Sequence, residues 1–379
     1  MRRHLQSAVL AATLWLLFQS GVGNVHALES PSKTTIALEE RALLLAAKRE
    51  PRNVEVVGAL GEYYLHKEEW RESVRWLARA AALSAQDESI GYDLAFAYMQ
   101  AGELDSAQHQ IRQMLAQADS AKLHNLLAAV KERGGDNDGA VREYYRAAEV
   151  EPTESNIFDL ATFLLQHKQY VGWLDESVKY FRYGVEKYPR SSQMMVGLGV
   201  ALYASEQYDE AVRVLCAAVD LDPKDPRPVQ FLGRAGRVSP DLATAVDKRL
   251  KDFADRYPDN AATNYFYALS LWERGGRDEG RNFPKIQELL RKAEALSPGW
   301  YEPHYQLGLL YEAEKRYPDA IREMQKAVKI DPNFFSAHFR LVTLYGRIGD
   351  KPKALDEAQK VKHLKQIDDA NEIVHDVSR

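Results

Sequence analysis

Small and bulky apolar side chains recur at fixed offsets along most of the chain. Within 301–332, Leu307 and Gly308 stand four and three residues before Tyr311, as on one face of a helix, and Ala320 and Ala327 stand seven residues apart, as on one face of a second helix. Comparable segments before and after it lack the period-two alternation that is typical of strands. The pattern therefore predicts an all-α chain of helix pairs.

Prolines mark the ends of these segments. Pro189 and Pro223 are 34 residues apart, and Pro298 and Pro332 are separated by the same interval. Proline lacks the amide hydrogen that helix continuation needs, so each proline ends a helix. A breaker that recurs at this interval indicates a repeated two-helix unit.

We expect nine such units. Their bounds lie near 54–87, 88–120, 121–154, 155–191, 192–225, 226–260, 261–300, 301–334 and 335–364. Three are irregular: 155–191 has extra residues around 168–173, 226–260 loses the pattern of its second helix, and 261–300 has an insertion at 275–284. Residues 28–53 form a linker and a capping helix near 36–50, and 365–379 form a polar tail or capping helix.

With Pro332 at position 32 of a unit, small residues fall at positions 8, 20 and 27 and bulky ones at 7, 11 and 24. This pattern resembles the tetratricopeptide repeat. The resemblance implies an α-solenoid that coils as a right-handed superhelix. It also implies that positions 2, 5, 9, 12 and 13 of each first helix face a concave groove that binds proteins or peptides.

These groove positions are unusually aromatic. They include Tyr92, Phe96, Met99, Phe163, Tyr203, Tyr265, Trp272, Tyr305 and Phe339. Aromatic side chains provide contact area at low entropic cost, so they suit a peptide partner. An alternative interpretation is that some of them pack between helices instead.

Three arginines interrupt the apolar trend. Arg227, Arg234 and Arg237 are spaced so that they share one helix face. One hypothesis is that they bind a carboxylate or phosphate group of a partner. The alternative is an ordinary solvated face. The Lys and Asn of the clamp that holds acidic chaperone tails in some family members are absent at positions 5 and 9, so that type of clamp is not expected.

The first 27 residues resemble a secretory signal. Arg2 and Arg3 precede an apolar run at 8–18, and Ala27 follows at a possible cleavage site. The run of 11 residues is short for a membrane span, which needs about 20. We therefore expect export to a periplasmic or extracellular space after cleavage near Ala27, with an uncleaved membrane anchor as the alternative.

Charge weighs against nucleic acid as a partner. Removal of residues 1–27 leaves 48 basic and 55 acidic residues, a net charge of −7. An acidic chain is a poor general binder of nucleic acid. We expect no further membrane span, and the sequence leaves the oligomeric state open.

No arrangement of residues predicts catalysis, a metal or a cofactor. His124, His304 and His338 share position 4, where packing between repeats is favoured over a zinc site. The stretch from Gly134 to Gly139 lacks ligands of a calcium loop and is expected to be a turn. Cys216, the only cysteine, is expected to be a buried apolar residue, with an intermolecular disulfide as the alternative.

The sequence thus predicts an exported scaffold or adaptor that holds protein partners in its groove. One alternative is an accessory subunit of an envelope enzyme or of a polysaccharide or protein export machine. A more remote alternative is an enzyme in its own right. No segment outside the repeats is long enough for a catalytic domain.

Overall fold

The computed structural model describes residues 33–235, 240–274 and 282–377. The chain forms two compact bodies, which we call the N-terminal body (residues 1–189) and the C-terminal body (190–379). The predicted signal segment 1–27, Arg237 and most of the insertion at 275–284 lie outside the described residues. All regular structure in the described residues is helical, so the prediction of an all-α repeat fold is confirmed.

The N-terminal body consists of a leading helix followed by four helix pairs. Its helices are α1 Lys33–Arg49, α2 Val54–His66, α3 Trp70–Leu83, α4 Glu88–Gln100, α5 Leu104–Leu115, α6 Ala121–Arg133, α7 Asn137–Val150, α8 Glu154–Gln166 and α9 Trp173–Lys187.

The C-terminal body continues the same pattern with five pairs. Its helices are α10 Ser192–Ala204, α11 Tyr208–Leu221, α12 Arg227–Ala235, α13 Pro240–Arg256, α14 Ala261–Arg274, α15 Phe283–Leu296, α16 Tyr301–Ala313, α17 Tyr317–Ile330, α18 Phe335–Arg347 and α19 Lys351–Val377. The segment 365–377, predicted as a polar tail or a capping helix, continues α19 as helix.

Side-chain caps start several of the first helices. The carboxylate of Asp87 accepts hydrogen bonds from the backbone amides of Ser89 and Ile90 at the start of α4. Asn53, Thr153 and Ser191 cap α2, α8 and α10 in the same way. These caps satisfy amides that have no partner within the helix, which fixes where each helix begins.

Glycine lets the two helices of a pair approach closely. A Cβ atom on Gly199 of α10 would lie 2.6 Å from side-chain atoms of Leu215 on α11. Gly61 and Leu77 have the same relationship, also at 2.6 Å. In both pairs a glycine at position 8 faces a leucine at position 24, so the predicted small-against-bulky contact is confirmed.

Left-handed backbone ends the first helix of each regular pair. The sequence predicts positive φ where a glycine closes a first helix, at Gly102, Gly135, Gly275 and Gly349. Gly102, Gly135 and Gly349 have φ angles of 78–82°, and Gly275 lies outside the described residues. The same position holds Glu68, Glu206 and Lys315, with φ angles of 59–62°, and the sequence analysis missed these three turns. Glycine adopts this conformation without a steric penalty, whereas residues with a Cβ atom pay one.

The described connections and helices differ in length among the units. The connection between α8 and α9 has six residues, 167–172, whereas the connection between α2 and α3 has three, 67–69. In the sixth unit α12 has nine residues and α13 has 17. Among the described helices, none combines the length and apolar character that a membrane crossing requires.

Candidate functional site

Two exposed phenylalanines lie on α18 of the C-terminal body. Phe335 and Phe339 are 41% and 54% exposed, and their rings stack with centroids 6.4 Å apart. They are one helical turn apart, so they present one apolar face. Large apolar side chains with this exposure, when adjacent, indicate an interaction surface.

Three further aromatic residues extend this face. The Phe334 ring lies 4.6 Å from that of Tyr301 and 4.9 Å from that of Tyr305, between centroids. Phe334 is the N-cap residue of α18 and Phe335 is its first residue, so the two groups meet at the start of this helix. We name Tyr301, Tyr305, Phe334, Phe335 and Phe339 the terminal aromatic patch.

A carboxylate lies beside this patch. Glu302 follows Tyr301 on α16, and its Oε2 atom is buried without a hydrogen-bond partner among the described residues. Burial raises the pKa of Glu302, and the nearby negative charge of Asp331 raises it further, against the opposing effect of the Trp300 indole. Hydrogen bonds from its own backbone and from Tyr301 also oppose the shift, so the carboxylate has donors although the buried Oε2 atom has none.

The N-terminal body has a second surface of mixed character. Lys122 Nζ lies 3.6 Å from the centroid of the Tyr92 ring, which is cation–π geometry. Both residues line a cavity of about 700 Å³ whose wall also includes Met114 and Leu123. Phe96 packs edge-on against Trp70, with centroids 6.3 Å apart. Tyr92 and Phe96 therefore lie half-buried at surfaces that a partner can reach.

Two poorly paired acids lie further along the N-terminal body. Burial raises the pKa of Asp159 to about 6, and its carboxylate accepts a hydrogen bond from the Ser155 hydroxyl at 3.5 Å. Burial also raises the pKa of Glu132, whose Oε2 accepts a hydrogen bond from the Tyr144 hydroxyl at 3.2 Å. Neither acid came from the sequence analysis, because acidic residues at helix positions are usually solvated.

The turns of the C-terminal body enclose a cavity of about 800 Å³. Its apolar lining comes from the connections between units and includes Pro223, Pro226, Tyr257, Pro258, Leu296 and Trp300. The Arg256 guanidinium at its edge pairs with Asp220 at 2.7 Å. This cavity is large, but its charged groups are partly engaged with one another.

Three of the predicted groove residues are buried. Met99, Phe163 and Tyr265 are 5%, 2% and 6% exposed, so the prediction that they contact a partner is wrong. Met99 lies in a core cluster with residues of the next helix pair. The ring of Phe163 packs between Tyr144 and Trp173, and that of Tyr265 lies 4.5 Å from Trp300.

Other predicted residues stay at the surface or half-buried. Phe339 is exposed, and Tyr203, Trp272 and Tyr305 are half-buried. Trp272 stacks on Phe283 with centroids 5.6 Å apart, and Tyr203 packs against Tyr208 at 5.3 Å. Tyr305 thus packs against Phe334 and Phe339 against Phe335, on either side of the start of α18, while Tyr203 and Trp272 pack with other neighbours.

The arginine hypothesis meets a specific difficulty at Arg227. Its guanidinium forms two-pronged contacts with the Asp225 carboxylate, at 2.8–3.0 Å. That pair occupies the nitrogens that an anionic ligand needs. The Arg234 side chain and the whole of Arg237 lie outside what the structure describes, so they provide no support.

The three histidines at position 4 share one arrangement. In each case the ring Nδ1 faces a glutamate 19 residues later, on the second helix of the same pair: His124 with Glu143, His304 with Glu323, and His338 with Glu357. Nε2 of His338 also faces the Pro332 carbonyl at 3.0 Å. Both neighbours are acceptors when Glu357 is ionised, so the ring satisfies both only with a proton on each nitrogen.

One of these pairs belongs to the only possible metal-binding group that the described residues contain, namely Glu294, His304 and Glu323. Arg291 donates to Glu294 at 2.6 Å and to Glu323 at 2.8 Å, and Lys326 lies 3.4 Å from each carboxylate. These cations already balance the acids, so the group functions as an ion-pair network. Cys216 is 8% exposed, and burial raises the pKa of its thiol to about 11.

Together, successive helix pairs with small-against-bulky contacts define a helical repeat protein. Family models described as tetratricopeptide repeat match residues 92–156, 166–226 and 301–334. The chain therefore contains tetratricopeptide repeats over these residues.

Among characterised proteins, the chain is similar to the BBSome complex member BBS4 homolog of Drosophila melanogaster, with 21% identity over 210 residues. The match covers 55% of this chain, which spans 42% of that relative's length. The structure of yeast Tom70 is similar at 13% sequence identity and a TM-score of 0.46. The match covers 90% of this chain and 93% of the Tom70 chain. YrrB, described as a tetratricopeptide-repeat protein with an unusual peptide-binding site, is similar at 17% identity over 51% of this chain and 98% of its own, with a TM-score of 0.38.

Proposed function

We propose that this protein is a scaffold or adaptor that binds protein partners, and that it has no catalytic activity of its own. The terminal aromatic patch is the observation that carries the proposal. Phe335 and Phe339 are each more than 40% exposed, although the repeat fold has buried most other large apolar side chains of this body. Exposure of this kind is unfavourable for an isolated chain, and a partner would relieve it.

We further propose that the protein acts after export. The basic and apolar pattern of residues 1–27 supports this, since a short apolar run preceded by arginines is typical of a secretory signal. The partners would then belong to an envelope or extracellular assembly. The terminal aromatic patch also suits several partners in turn, because aromatic faces tolerate varied apolar contacts.

Quantitative capture of bound proteins from native cells tests the proposal. The wild-type chain would be compared with a Phe335→Ala/Phe339→Ala variant and with Leu355→Ala as the matched control. Leu355 is 63% exposed on α19 and is not a residue of the patch, so its truncation removes exposed apolar surface from a different helix. We expect a defined set of proteins to lose about tenfold or more in recovery with the double variant only. Equal recovery from all three chains would contradict the proposal.

A further inference from the structure

The cavity of about 800 Å³ in the C-terminal body crosses three successive units, and we name it the connection cavity. Its wall comes from the connections 222–226, 257–260 and 297–300 and from the helix ends beside them. Packed helices have axes about 8–10 Å apart, so a wall that crosses three units is roughly 20 Å long. An extended chain rises about 3.1–3.4 Å per residue, so about six residues cover this length. The connection cavity therefore has the dimensions of a short extended peptide.

The three connections are held in place without a ligand. The side-chain amide of Asn260 in the second connection donates a hydrogen bond to the Pro223 carbonyl in the first. The ring of Trp300 in the third connection packs against buried Tyr265 on α14, with centroids 4.5 Å apart. A preformed surface loses little conformational entropy when a ligand binds, which favours affinity.

Rigid apolar side chains form much of the wall of the connection cavity. They include three prolines and two aromatic residues, namely Pro223, Pro226, Pro258, Tyr257 and Trp300. The indole of Trp300 donates its hydrogen bond to the Glu302 carboxylate, so it contributes apolar surface to the wall rather than a free donor. Leu296, also in the wall, is 39% exposed. Prolines of a ligand suit this wall, because proline-rich segments dock in grooves lined by aromatic residues.

Two polar side chains of the wall have unused hydrogen-bonding capacity. Among the described residues, neither the Gln230 amide nor the Ser297 hydroxyl forms a hydrogen bond, although both residues are half-buried. Each of them can donate to a carbonyl oxygen. A ligand whose carbonyl groups are free would therefore satisfy both donors.

One cation of the wall is also without a partner. Lys224 is exposed and forms no ion pair with the described residues. Asp222 lies outside the wall, and its carboxylate accepts a hydrogen bond from the Lys224 backbone amide. The other cation, Arg256, is paired with Asp220 at 2.7 Å. Asp259 adds a negative charge in the second connection, and the third connection contains no ionisable residue. An acidic group of a ligand is therefore complementary to the first connection, at Lys224.

Free carbonyl groups, proline contacts and an extended length belong to one backbone conformation. A helical ligand bonds its carbonyl groups internally, and an added β-strand needs a sheet edge, whereas all regular structure in the described residues is helical. A polyproline II segment has no internal hydrogen bonds and leaves its carbonyl groups free. Proline also fixes φ before binding, which lowers the entropic cost of association.

We propose that the connection cavity binds a proline-rich segment of a partner protein in the polyproline II conformation, with an acidic residue of that segment at Lys224. Prolines of the segment pack against Tyr257 and Trp300, and its carbonyl groups accept hydrogen bonds from Gln230 and Ser297. This inference goes beyond the proposed function, because it assigns a second binding surface that shares no residue with the terminal aromatic patch.

Three labelled peptides of equal length test this inference by fluorescence anisotropy on the full chain. The first has a run of prolines between two glutamates, so that either chain direction can place an acid at Lys224. The second has lysines in place of the glutamates, and the third has alternating glycine and serine in place of the prolines. We expect the first peptide to bind about tenfold more tightly than the third, because the third pays the full entropy of ordering its backbone. We expect it to bind about threefold more tightly than the second, as befits an exposed charge pair.

Variants then assign the binding to the cavity. Lys224→Glu should reverse the charge preference, so that the peptide with lysines binds more tightly than the peptide with glutamates. Lys329→Glu, at an exposed lysine outside the wall, should leave the preference unchanged. Leu296→Ser should weaken both proline peptides about threefold or more, and Leu83→Ser neither. Leu83 is the matched control, since both leucines end the second helix of a unit and they are 39% and 38% exposed.

Far-ultraviolet circular dichroism and thermal melting establish that each variant is folded. Equal binding of the proline peptide and the glycine–serine peptide to the wild-type chain would overturn the inference. A preference for glutamate that survives in Lys224→Glu would also overturn it.

These outcomes remain distinct from failure of the proposed function. If Phe335→Ala/Phe339→Ala loses captured partners while the wild-type chain shows no preference for proline, the scaffold function stands and the inference about the connection cavity is wrong. If the proline peptides bind as expected while that double variant captures the same proteins as wild type, the proposed function of the patch is wrong and the inference about the connection cavity stands.

Discussion

The Nδ1 nitrogen of His304 lies 3.0 Å from the Oε2 oxygen of Glu323, and both side chains are buried. Burial alone would raise the pKa of Glu323, but hydrogen bonds from His304 and Arg291, together with the charge of Arg291, lower it to about 2. The acid thus contributes stability as an anion. This network joins α15, α16 and α17, so it ties the seventh unit to the eighth.

Loss of Glu323 should therefore destabilise the fold near neutral pH. Glu323→Gln leaves Arg291 and His304 without their anionic partner, and we expect a loss of about 2–4 kcal/mol in the free energy of unfolding. Urea unfolding at pH 7 measures it. Glu288→Gln, which removes an exposed pair with Lys285, is the control and should change stability by less than about 0.5 kcal/mol. A loss no larger than the control's would contradict the account.

The same residue predicts a pH dependence with a definite sign. A carboxyl whose folded pKa lies below its unfolded value stabilises the protein above the unfolded pKa, here 4.5. That stability is lost as pH falls from about 4.5 through about 2. The difference in stability between wild type and Glu323→Gln should therefore shrink across this window. A difference that stays constant would show that the carboxylate charge does not carry the effect.

Asp159 predicts the opposite behaviour. Its folded pKa of about 6 lies above the model-compound value of 3.8, so the ionised form destabilises the fold above pH 6 and this effect disappears as pH falls towards 3.8. We expect Asp159→Asn to stabilise the protein by about 1–2 kcal/mol at pH 7.5, after allowance for partial solvent exposure. Urea unfolding at pH 7.5 and pH 4.5 measures it, with exposed Asp259→Asn as the control. Destabilisation at pH 7.5 would refute the assignment.

Lys315 tests the cost of left-handed backbone between paired helices. Its φ angle is 60°, at a position that other units fill with glycine. Lys315→Gly removes the clash of Cβ with the backbone, and we expect a gain of about 0.5–1 kcal/mol in the free energy of unfolding. Gly349→Ala places a Cβ at the equivalent turn and should have the opposite effect. Thermal melting of both variants measures these effects. Destabilisation by Lys315→Gly would contradict the prediction that left-handed backbone is costly at this position.

Export makes a prediction about the mature N-terminus. If residues 1–27 are a cleaved signal, protein purified from its native compartment begins at Leu28. Mass spectrometry of the intact mature chain measures this directly. A chain that retains Arg2 and Arg3 and remains with the membrane fraction would support the anchor alternative instead.

The repeat frame of the fold was predictable because it depends on local spacing. The contact between Gly199 and Leu215 illustrates this. These residues occupy positions 8 and 24 of a unit, and the same two positions hold Gly61 and Leu77, which make the same contact. The left-handed turns at Glu68, Glu206 and Lys315 were missed because the sequence signal used was glycine itself. These three turns could have been predicted from their position in the repeat, because other units have glycine at that position.

The candidate site was only partly predictable. Tyr305 and Phe339 were predicted because they occupy groove positions of the repeat. Tyr301 and Phe335 are the first residues of their helices and Phe334 lies just before α18, and the repeat pattern assigns no groove position to these sites. Phe163 and Tyr265 were assigned to the groove, yet they are covered by Trp173 and Trp300 from irregular or connecting segments. The course of such segments depends on tertiary packing. The histidine–glutamate pairs were visible as a spacing of 19 residues, but only the structure showed that the spacing is a contact.

Photo-crosslinking in native cells tests the central claim most directly. A photoreactive phenylalanine analogue would replace Phe339 in one chain and Leu355 in another, both more than 50% exposed. The account predicts covalent attachment of a discrete partner protein at position 339 and none of it at position 355. Absence of an adduct at position 339, or the same adducts at both positions, would contradict the claim that the terminal aromatic patch binds the partner.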